Sequence, residues 1–128
     1  MTRIFGVIGF PVNHSLSPAM HTAALRAMRL DALYAPFEVP PRTLAPMLHG
    51  LVLAGVEGLN VTVPLKEAIV PLMDQLDPTA QAVKAVNTIV QTCVLGISPL
   101  GPFGIGFKTG LLYGAVIGFL RVPRNVVT

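Results

Sequence analysis

Two serines stand two residues apart at the mouth of a predicted helix, in Gly9-Phe10-Pro11-Val12-Asn13-His14-Ser15-Leu16-Ser17-Pro18. Hydroxyls donate and accept, which suits a carboxylate or a polyol. A helix N-terminus adds partial positive charge that favours an anion. The same residues also suit a plain cap, with Ser17 as N-cap, Pro18 at the first helical position and Ser15 solvated. A second polar set punctuates Gly58-Leu59-Asn60-Val61-Thr62-Val63-Pro64-Leu65-Lys66. Strand alternation points Asn60 and Thr62 to one side. A lysine at the exit of such a strand is placed to act as a general acid or base, or simply to start a helix in solvent. The third set is Ala85-Val86-Asn87-Thr88-Ile89-Val90, where Asn87 either meets a ligand or satisfies a turn.

The elements that must position these residues follow from the apolar pattern. Residues 3–10 read as a buried strand, 33–39 as a second, 56–63 as a third and 86–91 as a fourth. A helix over 18–29 sets Met20, Ala23, Ala24, Ala27 and Met28 on one face. A second helix opens at Thr43 and ends near Gly55, and helical turns follow over 66–74 and 78–85. Strands alternating with helices predict a three-layer α/β fold: a mainly parallel sheet with helices on both faces. Ligands of such sheets gather beyond the carboxyl ends of the strands. The loops over 11–17 and 60–66 then share one end, within reach of one small molecule.

In this order and spacing the three segments resemble shikimate dehydrogenase, over residues 4 to about 91. The quinate/shikimate dehydrogenases share the motifs. The resemblance implies that Ser15 and Ser17 hold the substrate carboxylate. It implies that Asn60, Thr62 and Asn87 bind ring hydroxyls, and that Lys66 is the catalytic lysine, exchanging a proton with the hydroxyl being oxidised. The implied activity is the interconversion of 3-dehydroshikimate and shikimate in aromatic amino acid biosynthesis. The hydride acceptor is NADP, held in the family on a separate Rossmann domain. Residues 1–91 are then the shikimate-binding domain.

Residues 92–128 depart from the family. It has Gly-x-Asn-Thr-Asp-x-x-Gly-Phe, whose Asp partners the lysine; here Gly101-Pro102-Phe103-Gly104-Ile105-Gly106-Phe107 puts Phe103 in the acid's place. No Rossmann unit is expected in this chain: Gly104, Gly106 and Gly110 match the glycine fingerprint only superficially, and no acidic residue follows to meet a ribose. Every acidic residue lies before position 78, and the tail reads as apolar and irregular. A shifted reading frame or a decayed gene accounts for such a change, although the surviving Gly-Ile-Gly-Phe speaks against a simple frameshift. The expectation is an enzyme portion inactive alone, or a stand-alone shikimate- or quinate-binding module.

Composition excludes other classes. A chain of 128 residues, 52% hydrophobic and 12% charged, is long enough for one domain with a core. A net charge of +3 without basic runs gives no nucleic-acid footprint. Cys93 is the only cysteine, and His14, His21 and His49 are not grouped, so no metal site is expected. Leu111 to Leu120 is apolar or glycine throughout but too short to span a bilayer, which takes about 20 residues. The N-terminus runs straight into a strand with no leader pattern, so a cytoplasmic location is expected. An apolar tail predicts self-association.

Overall fold

The computed structural model describes residues 2–93 and 117–122. Its elements run β1 (Arg3–Gly9), α1 (Ser17–Ala27), β2 (Ala32–Glu38), a 3-10 turn (Pro41–Thr43), α2 (Leu44–Leu53) and β3 (Val56–Val61). After these come α3 (Leu65–Ala68), a second 3-10 turn (Val70–Leu72), β4 (Gln75–Leu76), α4 (Pro78–Val83), β5 (Thr88–Cys93) and β6 (Ile117–Val122).

The strands form one sheet in the order β2-β1-β3-β5-β6-β4. β1 pairs in parallel with β2 and β3, and β5 with β6. The β3–β5 and β4–β6 pairs are antiparallel. The sheet is therefore mixed and mainly parallel, as expected, but its fourth predicted strand runs backwards. No full helical crossover separates β3 from β5: short turns return the chain beside β3 from the far end.

β1 to β2 and β2 to β3 are crossovers in opposite directions along the sheet. Right-handed connection of both places α1 and α2 on opposite faces. The core lies on the α2 side, where Leu44 and Leu48 join Ile8, Val56, Leu59, Val61, Leu65, Ile69, Val86 and Ile89. α2 ends at Gly55, whose φ of 94° is a conformation a side chain would strain.

α1 departs from the amphipathic reading. Met20, Ala23, Ala24, Ala27 and Met28 are all exposed, and no residue of α1 is buried. Its half-buried residues are Ser17, Pro18, His21, Thr22 and Leu25. A largely polar stripe thus meets the sheet, and the apolar stripe faces out.

β4 and β6 were not expected. β4 is two residues long, too short for a pattern, and Gly118 and Arg121 interrupt the apolar run of β6. The expected irregular tail thus contains one strand, and the rest of it, with Phe103 and the Gly-Ile-Gly-Phe segment, lies outside the described residues. Among the described residues no helix is long and apolar enough to cross a membrane.

Candidate functional site

The first predicted pair sits in the loop leaving β1. Val12 is buried and anchors it, and the Ser15 N–H donates to the Val12 carbonyl at 3.0 Å. Ser15 Oγ accepts the backbone N–H of Ser17 at 3.2 Å. The sequence suggested Ser17 as the cap; instead the helix begins at Ser17, Leu16 occupies the cap position, and no side chain caps there. Because the oxygen of Ser15 already meets that amide, Ser17 is drawn into the first turn. Its side chain lies near the Tyr34 phenol on β2.

Asn60 lies on β3. Its Oδ1 accepts the Tyr34 O–H at 2.6 Å, and its Nδ2 donates to Thr88 Oγ1 on β5 at 3.2 Å. Thr62 follows the strand; its N–H donates to the Ile8 carbonyl at 2.9 Å. The Thr62 carbonyl accepts the Leu65 N–H at 3.0 Å, which turns the chain into α3 and sets Lys66 in its first turn.

Backbone bonds tie the three motifs together. Phe10 N–H donates to the Val63 carbonyl at 3.2 Å, joining the first to the second. Val61 N–H donates to the Asn87 carbonyl at 2.7 Å, and Val86 N–H to the Lys66 carbonyl at 2.8 Å, joining the second to the third. Ser15, Ser17, Asn60, Thr62, Lys66 and Asn87 are all half-buried. Among the described residues the side chains of Thr62, Lys66 and Asn87 bond to no protein group. No buried side-chain nitrogen or oxygen is left unsatisfied there, so these groups keep access to solvent.

Three further residues belong to this network and were given no role from sequence. Tyr34 donates to Asn60 and lies near Ser17; His21 stacks on Tyr34, with ring centroids 4.4 Å apart and planes 22° apart; Thr88 receives Asn60. One signal was available for His21: it lies one helical turn after Ser17 and so shares its face. Burial pushes the Tyr34 phenol well above its ordinary 10, only partly offset by the Ser17 hydroxyl. Burial also lowers the His21 pKa from 6.5.

His14 and His49 are exposed, and no group of three possible ligands for a metal occurs among the described residues. A cavity of about 540 Å³ opens beside β4, lined by Met73, Asp74, Gln75, Leu76 and Gln81, and contains none of the six predicted residues. It lies apart from the polar cluster. The first βα turn, where a dinucleotide fold carries its glycine-rich pyrophosphate cradle, is here Phe10–Leu16, with Pro11 inside it and its helix amide already taken by Ser15. That turn does not fit a dinucleotide.

Hydroxyls, amides and one ammonium, gathered on a parallel-strand framework, define a small-molecule-binding α/β domain. Residues 7–89 match the family described as shikimate dehydrogenase substrate binding domain, and the chain belongs to that family. It is 54% identical over 88 residues to "Shikimate dehydrogenase (NADP(+))" of Geobacter metallireducens, covering 69% of this chain and 31% of that protein. It is 52% identical over 127 residues to the enzyme of the same name from Geobacter sp. (strain M21), covering 98% of this chain and 42% of that one. This second match runs on through the tail. Among solved structures, shikimate 5-dehydrogenase of Thermus thermophilus in complex with NADP(H) and shikimate superposes with a TM-score of 0.68 at 34% identity, over 91% of this chain and 37% of that one. The chain thus spans between about three- and four-tenths of the length of these relatives.

Proposed function

We propose that this chain binds shikimate or 3-dehydroshikimate through the six predicted residues, and supplies the substrate-binding part of an NADP-dependent shikimate dehydrogenase. The observation that supports this reading is the half-buried polar cluster tied together by backbone bonds between the three motifs. In this reading residues 1–91 are the binding domain, and 92–128 a tail that departs from the family's acidic motif at Phe103.

Ser15 keeps its O–H free to donate to a carboxylate, because its oxygen only accepts from Ser17. The Ser17 hydroxyl binds the same group. The N-terminal end of α1 adds its partial positive charge. Asn60, Thr62 and Asn87 bind the ring hydroxyls. The Lys66 ammonium gives its proton to the carbonyl oxygen as shikimate forms and takes it back in the reverse direction. NADP supplies or accepts the hydride in the full enzyme; no residue of this chain is assigned to it.

Binding without turnover is the second reading. Its support is that the Lys66 ammonium has no carboxylate partner among the described residues, while Phe103 replaces the family's acid in the sequence. The exposed apolar stripe of α1 supports self-association in either case. Calorimetric titration with shikimate tests the binding: a saturable isotherm, lost in Ser15→Ala and Lys66→Ala, is expected, and a flat wild-type titration would overturn it. Adding NADP together with the NADP-binding domain of a relative then separates the readings, since reduction of the cofactor supports the first and binding without reduction the second.

A further inference from the structure

Tyr34 touches both halves of the cluster. From β2 its O–H donates to Asn60 on β3, and the Ser17 side chain of α1 lies near the same phenol. A tyrosine hydroxyl has one proton to give. That proton goes to Asn60, whose Oδ1 rather than Nδ2 faces the phenol at 2.6 Å.

The remaining capacity of Asn60 can be counted. A side-chain amide has two N–H donors and an oxygen that accepts twice. Tyr34 occupies the oxygen from one side, and Thr88 takes one N–H. One N–H remains outward. We propose that Tyr34 is a positioning residue that locks the Asn60 amide, so that Asn60 meets ligand as a donor and selects an oxygen bearing a free lone pair. This rests on the reading of the site given above, and deepens it.

His21 holds the ring in place. Its imidazole lies nearly parallel to the phenol ring at 4.4 Å, so the ring has little freedom to swing out of line. The arrangement also makes Ser17 and Asn60 neighbours through one shared group.

The test separates the lock from the ligand. In the full chain, hydrogen exchange of the Asn60 side-chain amide, read by NMR, is expected to be at least about fivefold slower than that of exposed Asn13, the range one hydrogen bond commands. Tyr34→Phe keeps the ring and its stacking on His21 and should narrow the difference, with the Thr88 bond left to protect one N–H. Shikimate affinity should fall about five- to tenfold in Tyr34→Phe, and not further when Tyr34→Phe is added to Asn60→Ala. Equal exchange rates for Asn60 and Asn13 in the wild type, or losses that add in the double variant, would overturn the proposal. If the wild-type chain binds no shikimate, the binding reading fails, while the exchange comparison still decides the role of Tyr34.

Discussion

Gly9 sits directly against Thr62: a Cβ built on Gly9 would overlap the Thr62 methyl, with the Val63 carbonyl at 3.2 Å on another side. The last residue of β1 must therefore be glycine if Thr62 is to keep its rotamer. Thr62 is β-branched and short, so it yields only by turning about its first side-chain bond, which swings its hydroxyl away. Gly9→Ala is predicted to lower stability by about 1–3 kcal/mol, as overpacking does. It should also weaken shikimate binding, by no more than Thr62→Ala does. Thermal melting and titration of both variants check this; a Gly9→Ala protein with unchanged binding would show that the position of Thr62 is irrelevant.

Lys66 and its neighbour Leu65 should separate function from stability. Leu65 is fully buried in the core, whereas the Lys66 side chain bonds to no described group. Leu65→Ala is expected to cost about 2–5 kcal/mol in urea unfolding. Lys66→Ala should leave the unfolding midpoint in place while weakening shikimate binding about 10-fold or more, as loss of a charged hydrogen bond does. A Lys66→Ala chain that melts early would assign the lysine to the fold instead.

The pH dependence of stability follows from His21. Its pKa is lowered by burial against Tyr34, so the unfolded chain takes up the proton more readily than the folded one. The contribution of neutral His21 is fully present above about pH 6.5 and is lost as pH falls from there through the lowered folded value. His21→Gln should flatten that part of the stability curve, measured as melting temperature between pH 7.5 and 5. An unchanged slope in His21→Gln would place the effect elsewhere.

The start of α4 is held by one side chain. Asp77 Oδ1 accepts the Ala80 N–H at 2.6 Å, with Pro78 in the first turn. Asp77→Ala is predicted to destabilise the chain by about 1 kcal/mol and Asp77→Asn by much less. Equal losses in the two variants would point to the charge rather than the cap.

Much of this was legible in the sequence. The Gly-x-Pro-Val and Asn-Val-Thr segments carry β-branched runs ended by Pro11 and Pro64, so β1, β3 and their exits were readable to within a few residues. Asn60 stood out as a polar group inside an apolar strand, whereas the roles expected for Ser15, Ser17, Thr62, Lys66 and Asn87 came from the resemblance of the three motifs. Strand direction at β5 was not, since apolar periodicity has no sign. The apolar side of α1 misled because a helix on an uncovered sheet face can pack its polar side, as Ser17 and His21 do here. Tyr34 escaped notice because its bond to Asn60 joins residues 26 apart in the chain, and no local pattern records that.

The central claim is most directly tested by titrating shikimate into isotopically labelled chain and mapping the NMR shifts. The account predicts saturable changes at Ser15, Ser17, Asn60, Thr62, Lys66 and Asn87, with Tyr34 and Thr88 following. Absence of saturable change, or changes confined to the Met73–Gln81 cavity, would contradict it.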